Sequence, residues 1–159
     1  MESYFDYVGE LDEEFQQEIK DTYANAIKNF KIQNETDGRA IAKQVNEIVE
    51  QILESGKIPD AYEDKDDAIV ALGVLFGQAL CIGYGWKWMG LGKDADHVTV
   101  SVVSPKGYFC NAPLNYLYKI ISGNNIGLDG ENDNTVLLLY NMLAKMDEKP
   151  GDKMYIPLA

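Results

Sequence analysis

A run of 19 residues without a charged side chain, from Ala68 to Trp86, limits what this chain can fold into. Its length fits a membrane-spanning helix, and it equally fits a helix that is apolar on all sides because it lies at the centre of a globular domain. Gln78, four glycines and an acidic flank argue against insertion into a bilayer, and no basic cluster sets an orientation. We therefore predict a core helix and no membrane association. The side chains expected to be buried are Leu72, Leu75, Phe76 and Ala79.

Negative charge is concentrated in the first part of the chain. Residues 1–69 contain 18 Asp or Glu and 7 Lys or Arg, a net charge of −11, whereas residues 70–159 carry −1. Nucleic acids and anionic membranes are bound through arrays of Lys and Arg, and Arg39 is the only arginine, so we exclude both as partners. Such a charge keeps a protein soluble, and it also steers a basic protein partner towards it.

The spacing of apolar residues predicts one α+β domain, 1–159, with three N-terminal helices, a small antiparallel three-stranded sheet and two C-terminal helices. The helices are expected at 10–31, 37–56, 60–82, 113–122 and 133–146, and the strands at 86–91, 98–103 and 108–110. Asp60 is the expected cap of the third helix. Gly73 and Gly77 lie four residues apart, which predicts close approach of another backbone. Residues 155–158 are expected to dock as an extended segment.

The two cysteines, Cys81 and Cys110, stand in apolar segments without a CxxC spacing, so we interpret them as free core thiols. The first residues, Met-Glu-Ser-Tyr-Phe-Asp, lack the basic and apolar regions of a secretory signal. Both features predict a cytoplasmic protein.

Motifs for cofactors and metals are incomplete. Around Gly83 and Gly85 the third glycine of a dinucleotide-binding loop is missing, and the segment 125–136 ends in Val136 where an EF-hand needs a Glu. His97 is the only histidine, and with two separated cysteines it does not form a zinc spacing. We therefore predict no cofactor and no metal. A dyad of His97 with Cys110 is a weaker alternative that requires the sheet to bring them together.

Aromatic residues cluster around the predicted sheet. Trp86 and Trp88 share one strand face because side chains repeat every two residues, and that face is either core or a binding surface. The same segment of the chain holds His97, Cys110 and Tyr108, so an alternative hypothesis is a small-molecule pocket or an unrecognised active site at this sheet. A carboxylate pair for glycoside chemistry would have to come from Glu63, Asp64, Asp66 and Asp67, but these residues crowd a helix start, where capping and solvation explain them better.

A resemblance is carried by Leu72-Gly73, Gly77-Gln78, Gly85-Trp86, the hairpin, and Pro113 before a Tyr-rich helix. This arrangement resembles a group of small bacterial domains of unknown function over residues 69–123. Some similar small acidic proteins are immunity partners of secreted toxins. We therefore expect a non-catalytic protein-binding module, in the form of an immunity-like inhibitor that presents an acidic surface to a basic partner. The candidate partner-binding residues are Glu63, Asp64, Asp66, Asp67, Trp86 and Trp88.

Overall fold

The computed structural model describes residues 4–149 and 153–159, and within them the chain forms five helices and five strands in an α+β arrangement. The strands are β1 (Tyr7–Gly9), β2 (Lys87–Asp94), β3 (His97–Val103), β4 (Phe109–Asn111) and β5 (Ile156–Pro157). The helices are α1 (Glu13–Asn29), α2 (Gly38–Ser55), α3 (Lys65–Tyr84), α4 (Pro113–Ile121) and α5 (Val136–Leu143).

Helix α3 lies at the centre of the helical layer and contacts α1, α2 and α4. Eleven of its 20 residues are buried, and Leu72, Leu75, Phe76 and Ala79 are fully enclosed, which confirms the prediction of a core helix. By length and composition it is the one helix in the described part of the chain that could cross a membrane. Of its most apolar window, 61% is buried inside the fold, as in the core helix of a globular domain.

Two glycines bring neighbouring chain segments against α3. A Cβ atom built at Gly73 would lie 2.8 Å from the Cα atom of Leu114, at the start of α4. One built at Gly77 would lie 2.6 Å from the Cζ2 atom of Trp88. Both separations are shorter than a van der Waals contact. The predicted close approach of another backbone is confirmed at Gly73, whereas the atoms that lie against Gly77 belong to side chains.

The prediction of a three-stranded antiparallel sheet is wrong. Among the described residues the sheet has five strands in the order β1-β2-β3-β4-β5, and it is mixed because β4 and β5 are parallel while the other neighbours are antiparallel. The two added strands lie at the edges and contain only three and two residues, too few to show an alternating pattern. Since β1 precedes α1 and β5 follows α5, the predicted arrangement of N-terminal and C-terminal helices is also wrong.

Three helix starts differ from the predictions. Helix α1 begins at Glu13 instead of 10, because the side chain of Asp12 caps it by accepting from the backbone N–H of Phe15. Helix α3 begins at Lys65 with Asp64 as its N-cap, whereas Asp60 lies in the preceding loop. In that loop the ring of the partly buried Tyr62 stacks on Phe30 at the end of α1, with 5.3 Å between ring centroids, and the backbone N–H of Tyr62 donates to the carbonyl of Pro59 in a turn. Helix α5 begins at Val136 instead of 133, since the residues before it are hydrogen-bonded within the loop.

The sheet buries side chains on both faces. Trp88, Val102 and Phe109 pack on the helical side. On the opposite side Leu91 and Cys110 belong to a second, smaller core that also contains Val103, Tyr155 and the partly buried Phe5. The N-terminal segment and the tail meet there, where the backbone N–H of Tyr4 donates to the carbonyl of Met154 at 2.9 Å. The tail therefore docks as an extended segment, as predicted.

Candidate functional site

The four carboxylates selected from the sequence lie together at the start of α3 and are all exposed. Asp64 has a structural role, because its Oδ1 atom accepts a hydrogen bond from the backbone N–H of Asp67 at 2.9 Å. Asp66 and Asp67 stand in the first turn, where the helix dipole favours negative charge. Glu63, Asp66 and Asp67 make no side-chain hydrogen bond or ion pair within the described residues.

These carboxylates belong to a larger acidic surface. Residues 54–67, here called the acidic end, run from the last turn of α2 through the connecting loop into the first turn of α3. They contain six Asp or Glu and two Lys, and all six acidic residues are exposed. A cavity of about 250 Å³ lies against the acidic end. Its walls are formed by apolar side chains and by three polar ones, and none of the six carboxylates is part of them: Phe30, Ile48, Ile52, Ile58, Pro59, Asn29, Gln51 and Lys57.

Trp86 and Trp88 lie at the other end of α3. Trp86 follows Gly85, which ends the helix in a left-handed conformation with a φ of 74°. At 1.5 Å per residue, the 20 residues of α3 separate the acidic end from Trp86 by about 30 Å. The structure therefore divides the predicted partner-binding residues between two distant places.

The two tryptophans line a cavity of about 570 Å³, here called the groove, between α1, the second half of α3 and the start of β2. The indole N–H of Trp88 donates to Oε1 of Gln78 at 3.1 Å. Burial raises the pKa of the neighbouring Cys81 thiol to about 12, so this thiol stays protonated at neutral pH. The groove can bind a molecule, and its thiol is unsuited to act as a nucleophile.

Charged residues line the mouth of the groove. Nζ of Lys87 lies 2.5 Å from Oε1 of Glu10, and this hydrogen bond holds the pKa of the Glu10 carboxyl below its usual value. Lys20 on α1 also lines the groove and has no ion pair among the described residues. On α1, Tyr23 donates from its hydroxyl to the carbonyl of Glu35 at 3.2 Å.

Sequence reasoning missed the contribution of α1 to the groove. One signal was available, because Gln78 is the only amide side chain in the uncharged run 68–86. A partly buried amide in an apolar helix needs a hydrogen-bonding partner, which marks the place where the helix faces a polar group. No local sequence pattern, however, shows that the face of α1 bearing Lys20 lies across the groove from Gln78.

The residues of the alternative pocket are not brought together. His97 is the exposed first residue of β3, and its Nδ1 atom is 2.8 Å from Oδ1 of Asp94. Cys110 pairs with Val103, six residues further along β3, which separates it from His97 by about 20 Å. Cys110 is 2% exposed, its thiol donates to the carbonyl of Tyr155 at 3.2 Å, and burial raises its pKa to about 12.

Tyr108 is also remote from His97. It precedes β4 and packs edge-on against Phe109, with 4.7 Å between ring centroids, while Nζ of Lys149 lies 5.9 Å from its ring centre. The geometry required for a dyad of His97 with Cys110 is absent from the described structure. Within residues 4–149 and 153–159, no three His, Cys, Asp or Glu side chains form a group that could hold a metal ion.

Comparison with family models, with curated proteins and with solved structures finds no match to this chain. The resemblance over residues 69–123 and the toxin-immunity role therefore stay predictions.

Proposed function

We propose that this chain is a non-catalytic binding protein whose acidic end captures a basic protein partner. The observation that carries the proposal is the run of exposed carboxylates along the acidic end, where Glu63, Asp66 and Asp67 have no partner among the described residues. The resemblance stated above gives the proposal its narrower form, an immunity-like inhibitor. Because Cys81 and Cys110 are free thiols, we also propose the reducing cytoplasm as its location.

The charge of the acidic end is not neutralised within the fold. In the described residues one lysine–carboxylate pair occurs, between Lys87 and Glu10, and it lies near the far end of α3. Lys57 and Lys65 lie within the acidic end, but neither comes within 4.0 Å of a carboxylate there. Carboxylates that repel each other in the free protein are stabilised when a cationic surface approaches. Their electrostatic field also accelerates the encounter with such a surface.

The apolar part of the cavity beside the acidic end supplies a second type of contact. Ile58 and Pro59 belong to the acidic end itself and form part of the cavity wall, together with Phe30 from the end of α1. Protein interfaces combine a desolvated apolar centre with a polar or charged rim. The expected partner surface therefore has an apolar side chain surrounded by Lys or Arg.

The test is capture of a partner at low salt with the intact chain and a charge-neutralised variant. The variant combines Glu63→Gln, Asp66→Asn and Asp67→Asn, and it leaves the capping residue Asp64 in place. We expect the unchanged protein to recover a basic protein in stoichiometric amount. We expect the variant to recover at most about a tenth as much, since surface charge pairs act strongly at low ionic strength.

A matched control removes the same charge elsewhere. Asp96→Asn, Glu131→Gln and Asp147→Asn neutralise three exposed carboxylates outside the helical layer. This control should retain the partner. Equal loss of the partner from both triple variants would show that capture depends on net charge alone and not on the acidic end. Failure of the unchanged protein to recover any stoichiometric basic protein would contradict the proposal.

A further inference from the structure

We propose that the groove between α1, α3 and β2 is a second, separate binding site, and that its ligand is a small organic acid with an apolar body. Its volume of about 570 Å³ is within the range of small-molecule sites, roughly 300–1,000 Å³. The site lies about 30 Å from the acidic end along α3. It is therefore independent of the proposed protein partner.

The walls of the groove suit an apolar body. Trp86 and Trp88 lie beside Ile19 and Tyr23 of α1, so aromatic and aliphatic surfaces face each other across it. Trp86 is 7% exposed, and the hydrogen bond to Gln78 fixes the ring of Trp88. Walls that are held in place before binding lose little conformational entropy when a ligand enters.

The polar groups left free in the groove suit a carboxylate. Lys20 has no ion pair and the amide nitrogen of Gln78 has no acceptor among the described residues, so both are available as donors. Lys87 adds a second cation, which Glu10 already neutralises. The lining thus carries two lysines and one carboxylate in a chain whose net charge is −12.

An amine ligand is disfavoured by the same groups. The only carboxylate in the lining is Glu10, and its Oε1 atom already accepts from Lys87 at 2.5 Å. A ligand ammonium would have to compete for that oxygen beside Lys87 itself. A carboxylate instead gains a charge-assisted hydrogen bond from Lys20 without displacing an existing contact.

Tryptophan fluorescence tests the proposal directly, because both tryptophans of the chain line the groove. Phenylbutyrate, phenylbutanol and phenylbutylamine share one apolar body and differ in charge, so they serve as probes. We expect a saturable emission change with phenylbutyrate and an affinity about tenfold higher than that of the amine, the ratio that 1.4 kcal/mol of charge-assisted bonding produces.

Variants then identify the cation. Lys20→Gln should weaken phenylbutyrate about five- to tenfold and leave phenylbutanol unchanged. Lys28→Gln, on the same helix but outside the groove lining, should change neither affinity. Both lysines are exposed, so both variants are expected to fold, which far-ultraviolet circular dichroism checks.

Three results would overturn the proposal. One is the absence of a saturable emission change with phenylbutyrate. Another is an affinity for phenylbutylamine as high as that for phenylbutyrate, and this comparison is made with the unchanged protein alone. The third is an unaltered phenylbutyrate affinity in Lys20→Gln. Loss of the basic protein partner in the acidic-end variant has no bearing on these results, so the two proposals fail separately.

Discussion

Replacing Gly73 by alanine tests the packing of α3 against α4. A Cβ atom at this position would lie 2.8 Å from Cα and 3.0 Å from the backbone nitrogen of Leu114, and 3.1 Å from the carbonyl oxygen of Pro113. Carbon atoms in contact prefer about 3.5–4.0 Å, so α4 has to move by about 1 Å. All three neighbours are backbone atoms, so a rotamer change cannot relieve the contact.

Two opposing terms determine the size of the effect. Alanine is favoured over glycine inside a helix by about 1 kcal/mol. Overpacking of a closely packed interior costs about 1–3 kcal/mol, and we expect the upper part of that range because backbone must shift. The free energy of unfolding should therefore fall by about 1–2 kcal/mol, which for a domain of this size lowers Tm by about 2–8 °C.

Urea unfolding followed by circular dichroism, with calorimetry for Tm, measures this change. Ala24→Gly at an exposed position of α1 isolates the propensity term, and it should destabilise by about 1 kcal/mol. If Gly73→Ala instead stabilised the protein by about that amount, propensity alone would be acting. The close approach of α4 to α3 would then be refuted.

Three further predictions follow from burial and capping. Leu75→Asp places an unpaired charge in the core at a cost of several kcal/mol and should abolish the cooperative melt, whereas Val70→Asp on the same helix, where the side chain is 41% exposed, should keep it. Asp64→Ala should lower the free energy of unfolding by about 1 kcal/mol in urea titration, with Asp64→Asn close to the unchanged protein. Burial raises the pKa of Tyr116 and Tyr140 from 10.0 to about 12, so the unfolded chain loses these protons first and stability measured by urea titration should fall as pH rises from 10 to 12; a flat profile would contradict this.

The helices could be predicted from the sequence because the residues that start, cap and end a helix lie close to one another along the chain. Asp37 before α2 and Gly56 after it cap this helix, and their side-chain and backbone geometry depends on residues only a turn away. The uncharged run forms most of α3, and its central position could be predicted because a helix that is apolar on all sides is stable in a globular fold only when it is buried.

The edge strands could not be predicted for a physical reason. Ile156 and Pro157 form β5 because they pair with Phe109 and Cys110, more than forty residues earlier. Proline is acceptable there since an edge strand leaves part of its backbone unpaired, but the same proline argues against a strand when the pairing is unknown. A strand of two residues has no periodicity of its own to recognise.

The candidate sites divide in the same way. The acidic end is contiguous in sequence, so its carboxylates could be selected by counting, and their crowding at the start of α3 follows from the helix dipole. The groove joins Lys20 to Trp88 across 68 positions, and only the packing of α1 against α3 places them together. The prediction of a pocket containing His97 and Cys110 is wrong because it rested on their closeness in sequence. In the fold, the length of β3 separates the two side chains.

The central helix explains how one small domain can hold two independent sites. Its N-terminal end bears carboxylates stabilised by the dipole, and its C-terminal end meets β2 at Trp86 and Trp88, beside a lysine-lined cavity. Over about 30 Å at physiological ionic strength, where the Debye length is about 8 Å, the charges of one end are screened from the other. Neutralising Glu63, Asp66 and Asp67 should therefore leave the phenylbutyrate affinity unchanged within about twofold, and a larger change would show that α3 couples the two ends mechanically.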